Sequence, residues 1–163
     1  MTNQFTTYLT TPVGPLRITG TTLSITSVHF TEEVEKHSEI IPDVLVQCKK
    51  ELEEYFSGTR KLFTVPLLAT GTAFEQEVWK QLQQIAFGKT LSYGEIAKRM
   101  NKSAGSSRAV GHANAKNPIA IVIPCHRVIG ETGKLTGYAG GLWRKDWLLQ
   151  HEAKISGKEL SLF

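Results

Sequence analysis

The chain has 163 residues, 40% of them hydrophobic and 21% charged, which is enough for one domain or two small domains with a real core. This composition indicates neither disorder nor a coiled coil, and no apolar run approaches the length of a membrane span. Because the first residues also lack the basic and then apolar pattern of a secretion signal, we expect a cytoplasmic protein with no membrane partner.

Charge is distributed unevenly along the chain. Residues 1–70 contain 6 Lys and Arg against 8 Asp and Glu, a net charge of −2, whereas residues 71–163 contain 13 against 7, a net charge of +6. A basic half suggests a polyanionic partner such as nucleic acid. The alternative is a basic face that is merely solvated.

The beginning of the chain predicts a small sheet. The Thr-rich segment Phe5–Phe30 is rich in β-forming residues and is interrupted at Thr11–Pro15 and near Gly20. This pattern predicts two or three short antiparallel strands. The polar and acidic residues 31–39 predict a loop or a short helix.

An amphipathic helix is predicted over Asp43–Phe56, with Asp43 as its N-cap and Ser57–Gly58 as its stop signal. Cys48 falls on the apolar stripe of this helix, so we interpret it as a core residue. Neither Cys48 nor the other cysteine, Cys125, belongs to a Cys/His cluster, and both are expected to stay reduced. No metal site is therefore predicted.

The segment Leu67–Gly71 predicts a connector and a domain boundary. Thr72–Glu75 has the form of a capping box, which predicts a helix that continues to Gly88. One face of this helix carries the apolar residues Phe74, Val78, Leu82 and Ile85.

Two further short helices are predicted in succession. Ser92–Glu95 is a second capping box and opens a helix through Met100, and after a polar turn a second helix covers residues 106–116, ended by Asn117–Pro118. Two short helices joined by a turn indicate a helix-turn-helix.

The second of these helices is composed mostly of small residues, with Arg108 projecting among them. A helix that reads the major groove normally offers longer polar side chains to the bases. A face of small residues permits close approach to a narrow groove, and arginine suits insertion into the minor groove. The alternative interpretation of Gly111 and the neighbouring alanines is tight packing between helices.

The apolar run Ile119–Ile123 predicts a buried strand that Pro124 stops, after which Cys125, His126 and Arg127 follow directly. Cysteine is a strong nucleophile as a thiolate, and neighbouring cationic or imidazole groups lower the pKa of a thiol. The alternative is a buried structural thiol followed by a His–Arg pair on the surface. Farther on, a Gly-rich loop over Thr136–Leu142 precedes a last helix, predicted over Leu142–Glu152.

The segment Pro124–Gly130 resembles the signature of the O6-alkylguanine-DNA alkyltransferases, also called methylated-DNA–protein-cysteine methyltransferases. The resemblance is dense from about Phe74 to Glu152. Its other matching segments are Ser92–Ala97, Ser107–Gly111, Thr136–Leu142 and Leu148–Glu152.

The resemblance implies a mixed α/β (α+β) fold. Residues 1–70 would form a small ribonuclease H-like α/β domain, and residues 71–163 a mainly helical DNA-binding and alkyl-transfer domain with a winged helix-turn-helix-like motif. The protein would be a monomer that contacts duplex DNA in the minor groove and needs no cofactor. It would transfer the alkyl group of O6-alkylguanine, with O4-alkylthymine as a second candidate, to its own Cys125, irreversibly and once per molecule.

The resemblance also assigns roles to residues. Cys125 would be the alkyl acceptor, His126 its base through a water molecule, Glu152 the carboxylate that orients His126, and Tyr93 the proton donor to the guanine ring. Arg108 would fill the space that the extruded nucleotide leaves. The alternative for Tyr93 is an aromatic residue at the start of a helix that packs on the core.

Two larger sets complete the predicted site. The DNA-binding set is Arg108, Ser107, Ala109, Gly111, Tyr93, Lys102, Lys116 and Arg127. The substrate-pocket set is Asn117, Val128, Tyr138 and Ala139. Arg127 has an alternative role as an anchor of the active-site loop, and Ala139 stands where many relatives have serine, which leaves only a backbone amide contact. Backbone carbonyls of Cys125 and Val128 would accept the exocyclic amine of guanine.

Two other functions are alternatives to alkyl transfer. A binding module that recognises the lesion without removing it would lack the acceptor cysteine, which is present here as Cys125. A hydrolase built on Cys125, His126 and Glu152 is disfavoured because adjacent Cys and His side chains seldom point at each other.

Overall fold

Three antiparallel strands open the chain in the computed structural model, which describes residues 3–157. They are β1 (Phe5–Thr11), β2 (Gly14–Gly20) and β3 (Ile25–Phe30), in the order β1-β2-β3. The prediction of short antiparallel strands is confirmed, and residues 31–39 form a loop.

Helix α1 (Asp43–Ser57) packs against this sheet. Cys48 is fully buried in the helix, as its position on the apolar stripe predicts. The helix ends at Gly58, whose φ of 85° lies in the left-handed region that glycine adopts without strain. The prediction that Asp43 caps the helix is wrong, because the N-cap is Pro42 and Asp43 is the first helical residue.

The predicted strand Ile119–Ile123 is buried but is not a strand. Ile119 makes a single bridge to Val28, and the chain then turns at Ile121, whose φ is 71°. The Val122 amide donates to the Ala120 carbonyl at 2.8 Å, which with this φ is the pattern of a classic γ-turn. A β-branched residue at positive φ is strained by about 1–3 kcal/mol. An apolar run of residues gives no sign of such a turn, which is why it predicted a strand.

The second half of the chain contains four helices among the described residues: α2 (Ala73–Leu82), α3 (Tyr93–Arg99), α4 (Ser107–Ala115) and α5 (Leu142–Ile155). The capping boxes at Thr72–Glu75 and Ser92–Glu95 are both confirmed. Helix α2 ends at Leu82 instead of Gly88, because the amides of Gln84 and Ile85 donate to carbonyls three residues back and tighten the chain into turns.

Helix α4 packs against α2 and α3, and the indole of Trp79 on α2 donates to the Ala113 carbonyl at 2.9 Å. Two short strands, β4 (Leu91–Ser92) and β5 (Val128–Ile129), pair in parallel beside these helices. Val110 and Leu148 are fully buried in this half. Helix α5 continues three residues past its predicted end at Glu152.

The described residues form two compact units. One contains residues up to 70 together with 118–122, and the other contains residues 71–117 together with those from 123 onward. The domain division at residues 1–70 and 71–163 stays a prediction, and residues 158–163 lie outside the described part. No described helix has the length and apolar character that crossing a membrane requires.

Candidate active site

Two tight backbone features present Cys125. Pro124 has φ −81° and ψ 64°, and the Cys125 amide donates to the Ile123 carbonyl at 2.8 Å, which together form an inverse γ-turn. One turn of 3-10 helix, Cys125–Arg127, follows. All three of its side chains are buried, so the alternative of a surface His–Arg pair is wrong.

The carboxylate of Glu152, on α5, accepts hydrogen bonds from the His126 and Arg127 side chains of this turn. Its Oε2 lies 2.6 Å from His126 Nε2, and its Oε1 lies 2.8 Å from Arg127 Nε and 3.0 Å from the Gly88 amide nitrogen. Burial by itself raises the pKa of this carboxyl, but the charges and hydrogen bonds of His126 and Arg127 outweigh burial and hold the pKa well below its usual range. Glu152 is therefore an anion at neutral pH.

His126 is fully buried beside that anion. Burial lowers the pKa of its imidazole, the Glu152 carboxylate opposes this shift, and the cations of Arg127 and Lys145 add to it. Because a carboxylate only accepts, a neutral His126 carries its proton on Nε2. Its Nδ1 is then an acceptor, and this atom is buried with no hydrogen-bond partner among the described residues.

Arg127 corrects one predicted DNA contact. Its guanidinium donates to both oxygens of Glu152, and its Nη1 donates to the Ile85 carbonyl at 2.6 Å. The side chain is buried, so it is not available to a phosphate. The structure supports the alternative, in which Arg127 anchors the loop around Cys125.

The thiol of Cys125 is 7% exposed. Burial raises its pKa, while hydrogen bonds from the side chains of Asn117 and Tyr138 and the charge of Lys145 pull in the opposite direction. Neighbouring groups do lower this pKa, as expected, but burial outweighs them in the free protein and the net shift is upward. At rest, Cys125 is a thiol held among groups that favour its thiolate.

Lys145 is a neighbour of the thiol that the sequence analysis missed. It is fully buried in α5, its Nζ donates to the Thr136 carbonyl at 3.2 Å, and burial lowers its pKa to about 8 against the effect of Cys125. It lies three residues before Leu148 and seven before Glu152, which puts it on their face of the helix. That spacing could have identified it.

Two asparagines hold the backbone around the nucleophile. Asn117 Nδ2 donates to the Ile123 carbonyl at 2.8 Å, and Asn114 Nδ2 donates to the Cys125 carbonyl at 3.3 Å. The Cys125 carbonyl also accepts from the Val128 amide. Both lone pairs of this oxygen are thus engaged, so a guanine amine would have to displace one of these donors.

An open pocket of about 630 Å³ lies between α4 and the loop around Tyr138. Its lining includes the predicted residues Tyr93, Ser107, Arg108, Gly111, Tyr138 and Ala139, and also His112 and Glu131, which the sequence analysis did not select. The Tyr93 hydroxyl lies 2.6 Å from Thr136 Oγ1. Because Tyr138 both lines the pocket and lies near enough to Cys125 to lower the pKa of its thiol, it joins the pocket to the thiol.

The other predicted residues divide by exposure. Arg108, Ala109 and Lys102 are exposed. Lys116 has 70% of its side chain exposed, with its Nζ 3.9 Å from Glu75 Oε2. Val128 is fully buried in β5, so only its backbone could contact a base.

The fold and the site together define a cysteine-centred enzyme with a helix-turn-helix beside its nucleophile. Residues 73–154 match the family model described as 6-O-methylguanine DNA methyltransferase, DNA binding domain. Residues 5–69 match the model described as 6-O-methylguanine DNA methyltransferase, ribonuclease-like domain.

Individual proteins agree with these models. The methylated-DNA–protein-cysteine methyltransferase of Methanosarcina acetivorans is 45% identical over 148 residues, which cover 86% of this chain and 93% of that protein. The crystal structure of Mycobacterium tuberculosis O6-methylguanine methyltransferase matches with a TM-score of 0.85 and 41% identity over 99% of both chains. A structure of Mycobacterium tuberculosis OGT in complex with DNA matches with a TM-score of 0.83 and 44% identity, covering 91% of this chain and 92% of that one.

The chain belongs to the methylated-DNA–protein-cysteine methyltransferase family. It is an enzyme of this class, a DNA-binding methyltransferase that acts in the repair of alkylated DNA. The expected fold, a ribonuclease-like α/β part followed by a helical DNA-binding part, is confirmed.

Proposed function

We propose that this protein transfers the alkyl group of O6-alkylguanine in duplex DNA to Sγ of Cys125, with O4-alkylthymine as a second candidate substrate. The observation that carries the proposal is the setting of the thiol. Cys125 is buried, Asn117 and Tyr138 lie close enough to its thiol to lower the thiol pKa, and the next residue, His126, is paired with Glu152. Those groups suit a thiol that must become a thiolate inside a pocket.

The proton leaves Cys125 through His126. Nδ1 of His126 accepts it by way of a bridging water molecule, and the Glu152 carboxylate stabilises the imidazolium that results. The positive charge of Lys145 favours the thiolate further. Burial of the site makes both charges more effective, because little water screens them.

The thiolate then attacks the alkyl carbon. A sulfur–carbon bond forms, the bond between that carbon and O6 breaks, and its electron pair passes to the guanine ring. Tyr93 donates a proton to the ring, so guanine leaves as a neutral base. Tyr93 lines the pocket, and its hydroxyl is held by a hydrogen bond to the Thr136 hydroxyl, which supports this role.

The lesion reaches this pocket only if its nucleotide rotates out of the duplex. We place α4 in the minor groove, where its exposed Arg108 fills the space left in the stack and Ser107, Ala109 and Gly111 allow close approach. Lys102 and Lys116 contact phosphates. Tyr93 presses on the backbone at the 3′ side of the lesion.

The product is a thioether, which has no good leaving group, so water does not regenerate the thiol. Each molecule therefore acts once, as a monomer and with no cofactor, and we expect it to do so in the cytoplasm. The alkyl donor is the lesion itself.

Peptide mapping by mass spectrometry tests the proposal. After incubation with an O6-methylguanine duplex, one methyl group per molecule should appear on the peptide that contains Cys125. Cys125→Ser should acquire none yet bind DNA as the wild type does. Methylation of Cys48, or tight binding of the lesion without any mass gain, would contradict the assignment, the latter in favour of a binding module.

A further inference from the structure

A buried amide on α4 has no part in the mechanism above. Asn114 is 3% exposed, and its Nδ2 lies 3.3 Å from the carbonyl oxygen of Cys125. Because a carbonyl oxygen only accepts, the nitrogen of the amide must be the atom that faces it. This hydrogen bond runs directly from the helix that carries Arg108 to the residue that carries the nucleophile.

Packing does not account for an asparagine at this position. The Oδ1 of Asn114 is buried and has no hydrogen-bond partner among the described residues. An unpaired buried acceptor destabilises the folded state, whereas leucine, which has the same branching and the same number of non-hydrogen atoms, would carry no such penalty. What the asparagine provides in return is the donor to the Cys125 carbonyl.

Asn114 works beside Asn117. The two amides hold the carbonyls of Ile123 and Cys125, on either side of Pro124, at 2.8 Å and 3.3 Å. Pro124 has no amide hydrogen with which to fix the chain itself. The direction of the Cys125 side chain depends on how this short turn is held, and so does the distance of its thiol from Asn117 and Tyr138, the side chains that lower its pKa.

We propose that Asn114 is a positioning residue for alkyl transfer: it fixes the Cys125 carbonyl from the DNA-binding helix and so keeps the thiol among the groups that favour its thiolate. This inference rests on the proposed transfer to Cys125. It assigns Asn114 no contact with DNA or with the alkylated base.

Two variants, Asn114→Leu and Asn114→Asp, test the role with free O6-benzylguanine as the substrate, so that DNA binding does not enter. Both the rate constant at saturating base and the half-saturating concentration are measured over a range of pH. For Asn114→Leu, loss of one hydrogen bond should lower the rate constant about tenfold and leave the half-saturating concentration within about twofold. The pH midpoint of the rate should move upward, because the thiol is held less well near Asn117, Tyr138 and Lys145.

Asn114→Asp has the same shape and gives a distinct signature. As a neutral acid it can donate to the Cys125 carbonyl, and once ionised it cannot, so its deficit relative to the wild type should grow as pH rises. The other titratable or charged groups around the thiol are Lys145 from α5, Tyr138 from the loop and the His126–Arg127–Glu152 cluster. These groups are present in all three proteins, so a deficit that grows with pH only in Asn114→Asp is assigned to the new carboxyl group.

The outcomes separate the possibilities. Thermal unfolding shows whether each variant is folded. If Asn114→Leu is not folded, the isosteric Asn114→Asp alone tests the positioning role. Folded variants with the wild-type rate constant and pH midpoint overturn the positioning role. A lower half-saturating concentration with an unchanged rate constant also overturns it, since Asn114 would then compete with the base for the Cys125 carbonyl. A wild-type protein that forms no thioether at Cys125 refutes the proposed function instead.

Discussion

Replacing Glu152 with glutamine tests the cluster that supports the nucleophile. The Glu152 carboxylate accepts from His126 at 2.6 Å, from the Arg127 guanidinium at 2.8 and 3.1 Å, and from the Gly88 amide at 3.0 Å. Glutamine keeps the shape and one acceptor oxygen. Its amide group, however, turns a donor toward His126 or Arg127, and the Arg127 cation stays buried without its anion.

The magnitude follows from burial. Removing one partner of a buried ion pair costs about 3–5 kcal/mol, because it leaves the other charge uncompensated. We expect Glu152→Gln to lose about that much unfolding free energy at neutral pH. The rate of alkyl transfer should fall by about 10²–10⁴-fold, the usual contribution of general acid–base catalysis, because His126 loses the group that stabilises its imidazolium.

The assay is urea unfolding of the wild type and Glu152→Gln at a series of pH values. The pKa of Glu152 in the folded protein lies below its ordinary value of 4.5, so its stabilisation is complete above that value and is lost as pH falls through the lower pKa. The difference between the two proteins should therefore be constant at neutral pH and shrink in acid. Glu77→Gln, an exposed glutamate on α2, is the matched control and should show no such difference.

A small and pH-independent loss of stability in Glu152→Gln would refute this account of the cluster. So would a folded variant that transfers the alkyl group at the wild-type rate, since Glu152 would then contribute nothing through His126.

Two other predictions concern DNA. Arg108→Ala should slow repair of an O6-methylguanine duplex far more than reaction with free O6-benzylguanine, because only the duplex requires extrusion of a base, which costs a few kcal/mol; equal losses on the two substrates would point to a folding defect or a direct catalytic role. Lys102→Ala and Lys116→Ala should each reduce the slope of log DNA affinity against log salt concentration by roughly one unit on any DNA sequence. The control Lys50→Ala should leave this slope unchanged. DNA-binding titrations at several salt concentrations measure the slope. An affinity that does not depend on salt would contradict the proposed binding mode.

Local signals in the sequence determined where most helices begin. The capping boxes at Thr72–Glu75 and Ser92–Glu95 involve groups only three residues apart, so their hydrogen bonds depend on nothing distant. Gly58 likewise ends α1 through its own left-handed conformation. The motif from Pro124 onward and its matching segments identified the family and the candidate nucleophile.

Tertiary structure decided how the site is built. Arg127 follows the nucleophile by two residues, and only the position of Glu152, 25 residues farther on, turns its side chain inward. The γ-turn at Ile121 is imposed by its surroundings, against the preference of a β-branched residue. Lys145 and Asn114 reach Cys125 and its backbone only because α5 and α4 lie beside the 3-10 turn Cys125–Arg127.

The physical reason is the range of the interactions. Caps and turns depend on neighbours in the chain and can be predicted from them. The pKa of Cys125 is a balance between burial, which raises it, and the side chains of Asn117 and Tyr138 and the charge of Lys145, which lower it. Cys125 is buried, and these side chains come near it, only when the chain has folded. In the free protein burial has the larger effect on the pKa, which is the reverse of what the adjacent His126 and Arg127 suggested.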